Sequence, residues 1–374
     1  MNFRFVFIAF LWFTACQHTP KESAVKPASE DIRYARHFEV IPKKDYKILK
    51  VTGAYPGASS LTYVLSRKKI SLPDSLNRFP VINIPVNNLI VTSTTHLPAL
   101  EMLDEVDKLI AFPNTRYVSS PVVRKKIESG EVKEAGQGMQ LDTETVLALH
   151  PGVVVAFSSG GDRDNYRVLE ENHIPVLYNA DWTETTPLGR AEWIKVFGLL
   201  LGKEQMADSI FNEIEKKYLS LKNRLKPDSL HQPVVFQGGF FGDKWFVPGG
   251  ESYAAALIKD AGGRYLWQKD SHAGSINVNY ENVLLKLPEA DIWLNPGMYN
   301  NKEELAKDFS YVRDLQLYKN DQIYTYNLKK GATGGVLYFE QSNAHPDWVL
   351  EDLYHIFYPQ TVPEFKFHFY QKLP

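Results

Sequence analysis

Few residues of this chain are spaced for catalysis. Its ten histidines invite a search for metal ligands. None forms His-x-x-x-His or another short ligand pair: His96, His150, His173, His272 and His345 stand isolated. A zinc site gathers several such ligands, so no metal centre is expected. His150 precedes Pro151 and reads as a helix-end residue. His96 and His272 fall in expected loops near a cleft, where a histidine either reaches a ligand metal or, more commonly, is solvated. Gly238-Gly239 and Gly249-Gly250 are not followed by the Gly-Lys-Ser/Thr that cradles phosphate. Asp162 and Asp164 flank Arg163 after an expected strand and read as solvated loop charges. Nothing assembles a nucleophile, a base and an orienting group, so no enzyme is expected.

Binding chemistry is better represented. Gly238–Ser252, GGFFGDKWFVPGGES, mixes glycines with Phe240, Phe241, Trp245 and Phe246. Large flat ligands are held mainly by aromatic and apolar contact, with a few polar groups fixing orientation. Trp182 and Tyr299 follow other expected strands and point to the same region. Core packing explains any one of these rings, but less easily all of them together. The chain carries 20 Tyr and 21 Phe, more than one binding site uses, so most of them must pack the core.

A duplicated glutamate is the next feature. Residues 144–160, ETVLALHPGVVVAFSSG, and 281–297, ENVLLKLPEADIWLNPG, align without a gap at an offset of 137. Each begins with Glu (Glu144, Glu281) and holds Val-Leu, a proline and a closing glycine. Asp142 and Asn279, two residues earlier, are good N-caps. The shared plan is N-cap, short helix, proline stop, buried strand and glycine turn, which is half of a βαβ unit. Two copies predict two lobes of one design. In a parallel α/β sheet the helix N-terminus lies at the edge where strands end and ligands bind. Glu144 and Glu281 are therefore expected on the two rims of a cleft. One such Glu serves equally well to complement a helix dipole; the matched pair points to a two-footed docking contact.

The first residues set the compartment. Met1–Ala15 has one basic residue, an apolar run from Phe5 to Phe13, and small residues before Cys16. The run is too short to span a bilayer and reads as a secretion signal. Phe-Thr-Ala-Cys resembles a bacterial lipobox, with Phe13 in place of the usual Leu, which makes Cys16 the expected lipidated residue. Cys16 is also the sole cysteine, so no internal disulfide can form. Residues 17–30 are polar and proline-containing, as in a flexible tether. The net charge of −2 gives no electrostatic case for nucleic acid.

The elements that position these residues follow from pattern. Tyr46–Val51 and Leu61–Ser66 read as a leading hairpin. Strands are expected at Val81–Ile84, Ile90–Thr92, Leu109–Phe112 and Pro175–Tyr178, with a helix over Pro98–Val106. Pro187–Leu201 is helical, and Lys203–Leu225 forms a second helix about 30 Å long. That helix reads as a stiff connector. A second alternating lobe begins at Pro233–Phe236 and closes with a helix over Trp348–Phe357. The expected organisation is a signal peptide (1–15), a tether (16–31), an N-terminal α/β lobe (32–186), a helical connector (187–229) and a C-terminal α/β lobe (230–374).

Four stretches carry a family resemblance: LDTETVLALHPGVVVAF; IPVLYNADWTETTPLGRAEWIKVFGLLLGKEQMADSIFNEI; YAAALIKDAGGRYLW; and VNYENVLLKLPEADIWLNPG. In order and spacing the mature chain resembles the solute-binding proteins of bacterial ABC importers for cobalamin, ferric siderophores and haem. The resemblance implies two similar α/β lobes joined by one rigid helix, with the ligand between them. It implies that Glu144 and Glu281 pair with arginines of a permease. IPVNNLIVTSTTHLPALEML departs from the family's first strand and Ser-Pro loop, so its cleft residues cannot be carried over.

The expectation is thus a monomeric, lipid-anchored, periplasm-facing or cell-surface lipoprotein of a bacterium. It would bind a bulky metal-containing ligand and need no cofactor of its own. A cobalamin-like corrinoid is slightly favoured. Anionic siderophore complexes usually call for several Arg or Lys, and the cleft segments offer only Lys244 and Arg163. Haem ranks third. Two alternatives stand beside this. Metal-cofactor enzymes and chelatases share the architecture but carry clustered Cys and His. A surface lipoprotein could instead hand its ligand to an outer-membrane receptor.

Overall fold

The computed structural model describes residues 31–374, apart from 56, 69–70, 138–139, 162, 225–231, 242–243 and 362–363. The expected signal segment, Cys16, the expected tether up to residue 30 and Asp162 lie outside the described residues.

The first lobe starts with a sheet of β1 (Phe38–Pro42), β2 (Tyr46–Val51), β3 (Leu61–Ser66) and β4 (Val81–Asn83). The expected hairpin is β2–β3, antiparallel, with β4 added parallel to β3. Then follow β5 (Leu89–Val91), α1 (Leu97–Met102), β6 (Leu109–Phe112), α2 (Pro121–Glu128) and β7 (Lys133–Glu134). A small β8 (Gly136–Gln137) and β9 (Gln140–Leu141) pair leads to α3 (Thr143–Leu149), β10 (Val154–Ala156), α4 (Arg163–Glu171) and β11 (Val176–Tyr178). The main sheet runs β11-β10-β5-β6-β7, all parallel. Strands β5, β10 and β11 read LIV, VVA and VLY and are buried at every position. Helices on both faces of a parallel sheet demand such unbroken apolar runs.

Three helices follow: α5 (Pro187–Glu192), α6 (Ile194–Leu201) and α7 (Glu204–Arg224). The sequence pattern suggests one helix over 187–201. The structure divides it at Trp193, whose indole turns inward onto Phe38 and donates to Glu184 Oε1 at 3.2 Å. Arg163 and Asp164 likewise belong to α4 rather than to a loop. The 21 residues of α7 bury Ala207, Phe211, Ile214 and Tyr218 along one stripe. Both ends are tied. Glu215 accepts from Arg33 Nη1 and Tyr34 Oη, both at 2.6 Å. Tyr218 and Lys222 reach Asp260 at 2.7 and 2.9 Å.

The second lobe holds β12 (Val234–Gln237), β13 (Gly239–Phe241), β14 (Lys244–Pro248), α8 (Tyr253–Asp260), β15 (Arg264–Tyr265), β16 (Ser275–Val278), α9 (Tyr280–Lys286) and β17 (Ile292–Leu294). It ends with α10 (Lys302–Asp308), α11 (Gln316–Lys319), β18 (Ile323–Thr325), α12 (Leu337–Gln341), α13 (Pro346–Phe357) and β19 (Gln371–Lys372). Its main sheet runs β15-β12-β17-β18-β19, parallel except for β19. A separate antiparallel sheet, β13-β14-β16, stands beside it. α13 packs on α7, so the long helix is braced by the second lobe. The two sheets repeat one plan: α3–β10 in the first lobe matches α9–β17 in the second.

Candidate ligand cleft and docking face

Strand order locates the cleft. In the first sheet β5 leads, with β6 on one side and the later β10 on the other. In the second, β12 leads, with β15 and β17 flanking it. The carboxyl ends at such reversals are where open α/β sheets bind ligands. In the first lobe this edge carries Thr92 and Phe157, joined by the Phe157 N–H donating to Thr92 Oγ1 at 2.9 Å. In the second it carries Gly238, whose carbonyl accepts from Trp293 Nε1 at 2.9 Å. A side chain at Gly239 would lie 2.6 Å from the Pro296 carbonyl, so the two strand exits can approach only with glycine there.

Both repeated glutamates lie in the first turn of a helix, as the repeat predicts. Glu144 is in the first turn of α3, capped by Asp142 accepting from the Thr145 N–H at 3.2 Å. Glu281 is in the first turn of α9, capped by Asn279 accepting from the Asn282 N–H at 2.9 Å. Both are exposed. The Thr145 hydroxyl and N–H hold the Asp142 carboxyl below its ordinary range, so this cap stays charged. The copies differ at their far ends. His150 closes α3 in the left-handed region at φ 46°, as its helix-end reading anticipates, whereas Leu287 continues into a further turn.

The expected ligand-facing rings divide. Trp182 lies past β11, half-buried, with its indole 5.5 Å from Phe157 and donating to the Ala54 carbonyl at 3.3 Å. Phe240 is half-buried on β13. Phe241 occupies the end of the same strand, and its side chain lies outside the described residues. Phe246 is 40% exposed. Tyr299 is half-buried, and its hydroxyl donates to Asp308 Oδ2 at 3.1 Å. Burial, then that carboxylate, pushes the phenol up to about 12.

Trp245 requires correction. It is 1% exposed, enclosed by Phe236, Phe240, Trp293 and Phe309. Alternation along β14 explains this, since Trp245 and Val247 face inward while Lys244 and Phe246 face out. One register step separates a core anchor from a surface ring, and sequence does not say which is which. The histidines also move. His96 is wholly buried beside Phe197, with neither ring nitrogen partnered, and burial lowers its pKa to about 4. It is a neutral core residue, not a solvated loop histidine. His272 is exposed, against Asp270 at 3.1 Å. Among the described residues, no cluster of three or more His, Cys, Asp or Glu could hold a metal.

Sequence reasoning missed the segment that joins the lobes. Lys330 and Val336 bridge antiparallel, and the turn between them leans on the first lobe. A side chain at Gly331 would lie 2.7 Å from Ser119 Cα. Thr333 Oγ1 donates to the Val118 carbonyl at 3.4 Å. On α12, buried Glu340 accepts from the Ser119 N–H at 2.6 Å. Asn343 then meets Arg190 at 3.2 Å and Asp181 at 3.3 Å. Three rings were also missed: Tyr117 (48% exposed) and Phe339 (50% exposed) at this crossing, and half-buried Phe157 beside Trp182. Phe339 and Tyr117 stand in Gly-, Lys- and Arg-containing stretches without strand periodicity, so no pattern marked them.

The known proteins agree with this architecture. The chain is 24% identical over 306 residues to an uncharacterized lipoprotein of Methanocaldococcus jannaschii, covering 79% of this chain and 71% of the relative. It is similar in structure to a periplasmic heme-binding protein from Pseudomonas aeruginosa, with a TM-score of 0.58, 16% identity, and coverage of 77% of this chain and 98% of that one. It is also similar to the periplasmic vitamin B12-binding protein of Vibrio cholerae, with a TM-score of 0.53, 13% identity, and coverage of 74% and 98%. These likenesses support a two-lobed α/β fold over most of the chain. The sequence pattern of one family matches residues 89–328, from β5 through both repeated helices and α7 to the residues after β18. By that match this chain belongs to the periplasmic binding protein family, whose members are solute-binding transport proteins rather than enzymes.

Proposed function

We propose that this protein captures a bulky metal-containing ligand between its lobes and delivers it to an ABC importer permease, held to a membrane by a lipid on Cys16. The observation that carries the reading is the set of partly exposed rings at the strand exits of both lobes. Phe157 and Trp182 stand on one lobe, and Phe240, Phe246 and Tyr299 on the other. Aromatic faces give large contact area with little rotamer entropy to lose. A connector packed against both lobes lowers the ordering cost of closing on a ligand.

Within that reading the ligand is a cobalamin-like corrinoid, with a ferric siderophore or haem as the alternatives. Lys244 is the one basic residue with a described side chain in the aromatic segment, which suits a ligand of low net charge. The fold likeness to heme- and vitamin B12-binding proteins fits each of these. Glu144 and Glu281, exposed on matching helix starts, are the docking contacts for permease arginines. The lipoprotein relative supports the anchor and a periplasm-facing or cell-surface location. Titration with cobalamin, haem and ferric siderophores, read by tryptophan fluorescence and melting temperature, tests the reading. Saturable quenching by one of them supports it. No change with any of the three at saturating concentration removes it.

A further inference from the structure

A second concavity in the second lobe is chemically unlike the aromatic cleft. It lies where the chain leaves β18, at the same carboxyl edge of the sheet as Gly238 and Asn295. Its volume is about 630 Å³. Lys329, Lys330, Lys366 and His368 line it, with Leu328 and Phe367 forming apolar wall. No lining residue is a carboxylate. Among the described residues none of the three lysines forms an ion pair, although His368 Nε2 meets Glu351 at 2.9 Å.

Lys329 is half-buried in the groove wall, and Lys330 and Lys366 are exposed along it. The Lys329 ammonium is anchored by the carbonyls of Phe367 and His368. Burial lowers its pKa, opposed by Asp352 and reinforced by Lys366. The Asp352 carboxylate is itself occupied, accepting from the N–H groups of His368, Phe369 and Tyr370 at 2.6–2.9 Å. It holds the groove wall in shape, and its charge favours the Lys329 ammonium. Lys366 disfavours the charge on Lys329, and an anion placed between them relieves that repulsion.

We propose that this groove is an anion-binding subsite taking a carboxylate or phosphate group. The group is borne by an arm of the cleft-bound ligand or by a separate small anion. Only the first source rests on the proposed function. Leu337, the first residue of α12, also lines the groove, and Lys330 begins the segment that crosses to the first lobe. An anion here therefore binds at the root of the interlobe contact.

The test uses the whole chain and the Lys330→Gln/Lys366→Gln double variant, which leaves the anchored Lys329 in place. Citrate and inorganic phosphate are titrated at ionic strength matched with sodium chloride, reading melting temperature. Haem and its dimethyl ester are compared in parallel, since esterification removes only the carboxylates. Saturable stabilisation by citrate or phosphate, weakened roughly tenfold or more in the variant, supports a separate anion. A preference for haem over its ester that disappears in the variant supports the ligand arm. The proposal is overturned if neither response occurs, or if the responses are equal in the variant. Saturable citrate binding with no binding of either haem form leaves this subsite standing while counting against haem in the cleft.

Discussion

Glu340→Gln is the perturbation with the most specific outcome. Glu340 reaches from α12 to the Ser119 N–H at 2.6 Å, and its second oxygen is buried without a partner. Burial raises its pKa from 4.5 to about 7; the Ser119 and Ser120 backbones oppose the rise, and Glu101 adds to it. The sign follows from the two states. Below about pH 4.5 the carboxyl is protonated whether the chain is folded or not. Between 4.5 and 7 the folded chain keeps a proton that the unfolded chain releases, so stability falls as pH rises. The loss is about 1.4 kcal/mol per pH unit, or on the order of 3 kcal/mol in all. For a chain of this size that is roughly 4 °C of melting temperature. Glutamine keeps an acceptor for Ser119 and does not titrate. The variant should therefore lose most of this slope between pH 5 and 7.5, measured by urea or thermal unfolding. Asp347, which burial also raises, to about 6, titrates in both proteins and cancels. Parallel pH profiles for wild type and Glu340→Gln would refute the reasoning.

Four further outcomes separate the roles assigned here. Glu144→Arg and Glu281→Arg should each weaken association with the permease in pull-down or reconstituted transport, the double reversal more, with ligand affinity nearly unchanged, because rim charges govern association; lost ligand affinity with docking intact would count against the assignment. Trp245→Ala should cost about 3–5 kcal/mol of stability as a core cavity, seen by urea unfolding. Trp182→Ala, by contrast, should cost about 1–3 kcal/mol of ligand binding with little loss of stability; the reverse pattern would return Trp245 to the cleft. Cys16→Ala should release the protein from the detergent phase or stall its processing, and a wild-type protein that carries no lipid would exclude the anchor.

Much of the architecture was legible because parallel sheets and amphipathic helices leave strong local marks. The leading hairpin, the repeated helix–strand units and the long helix were found within a residue or two. Their strands are continuous apolar runs and their helices open with Asx caps. Glu144 and Glu281 were placed by the repeat, since a cap fixes which residue falls in the first turn. The site was less legible. Trp245 and Phe246 are neighbours of similar character, and only the packing of β14 on Phe236, Trp293 and Phe309 turns one inward and the other out. His96 is polar in sequence yet wholly buried, because α12 closes over its turn from the other lobe.

By itself, then, the sequence determined the two-lobed α/β plan, the stiff connector, the two glutamates at helix starts and the lack of catalytic spacing. Each of these depends on interactions within about four residues or on a pattern repeated along the chain. Tertiary structure alone decided which aromatic rings remain uncovered, how the 330–343 segment bolts the lobes together through Glu340 and Asn343, and where Lys329, Lys330 and Lys366 converge. Those features pair residues as far apart as Ser119 and Glu340, and no local pattern records which distant surface will cover a given side chain.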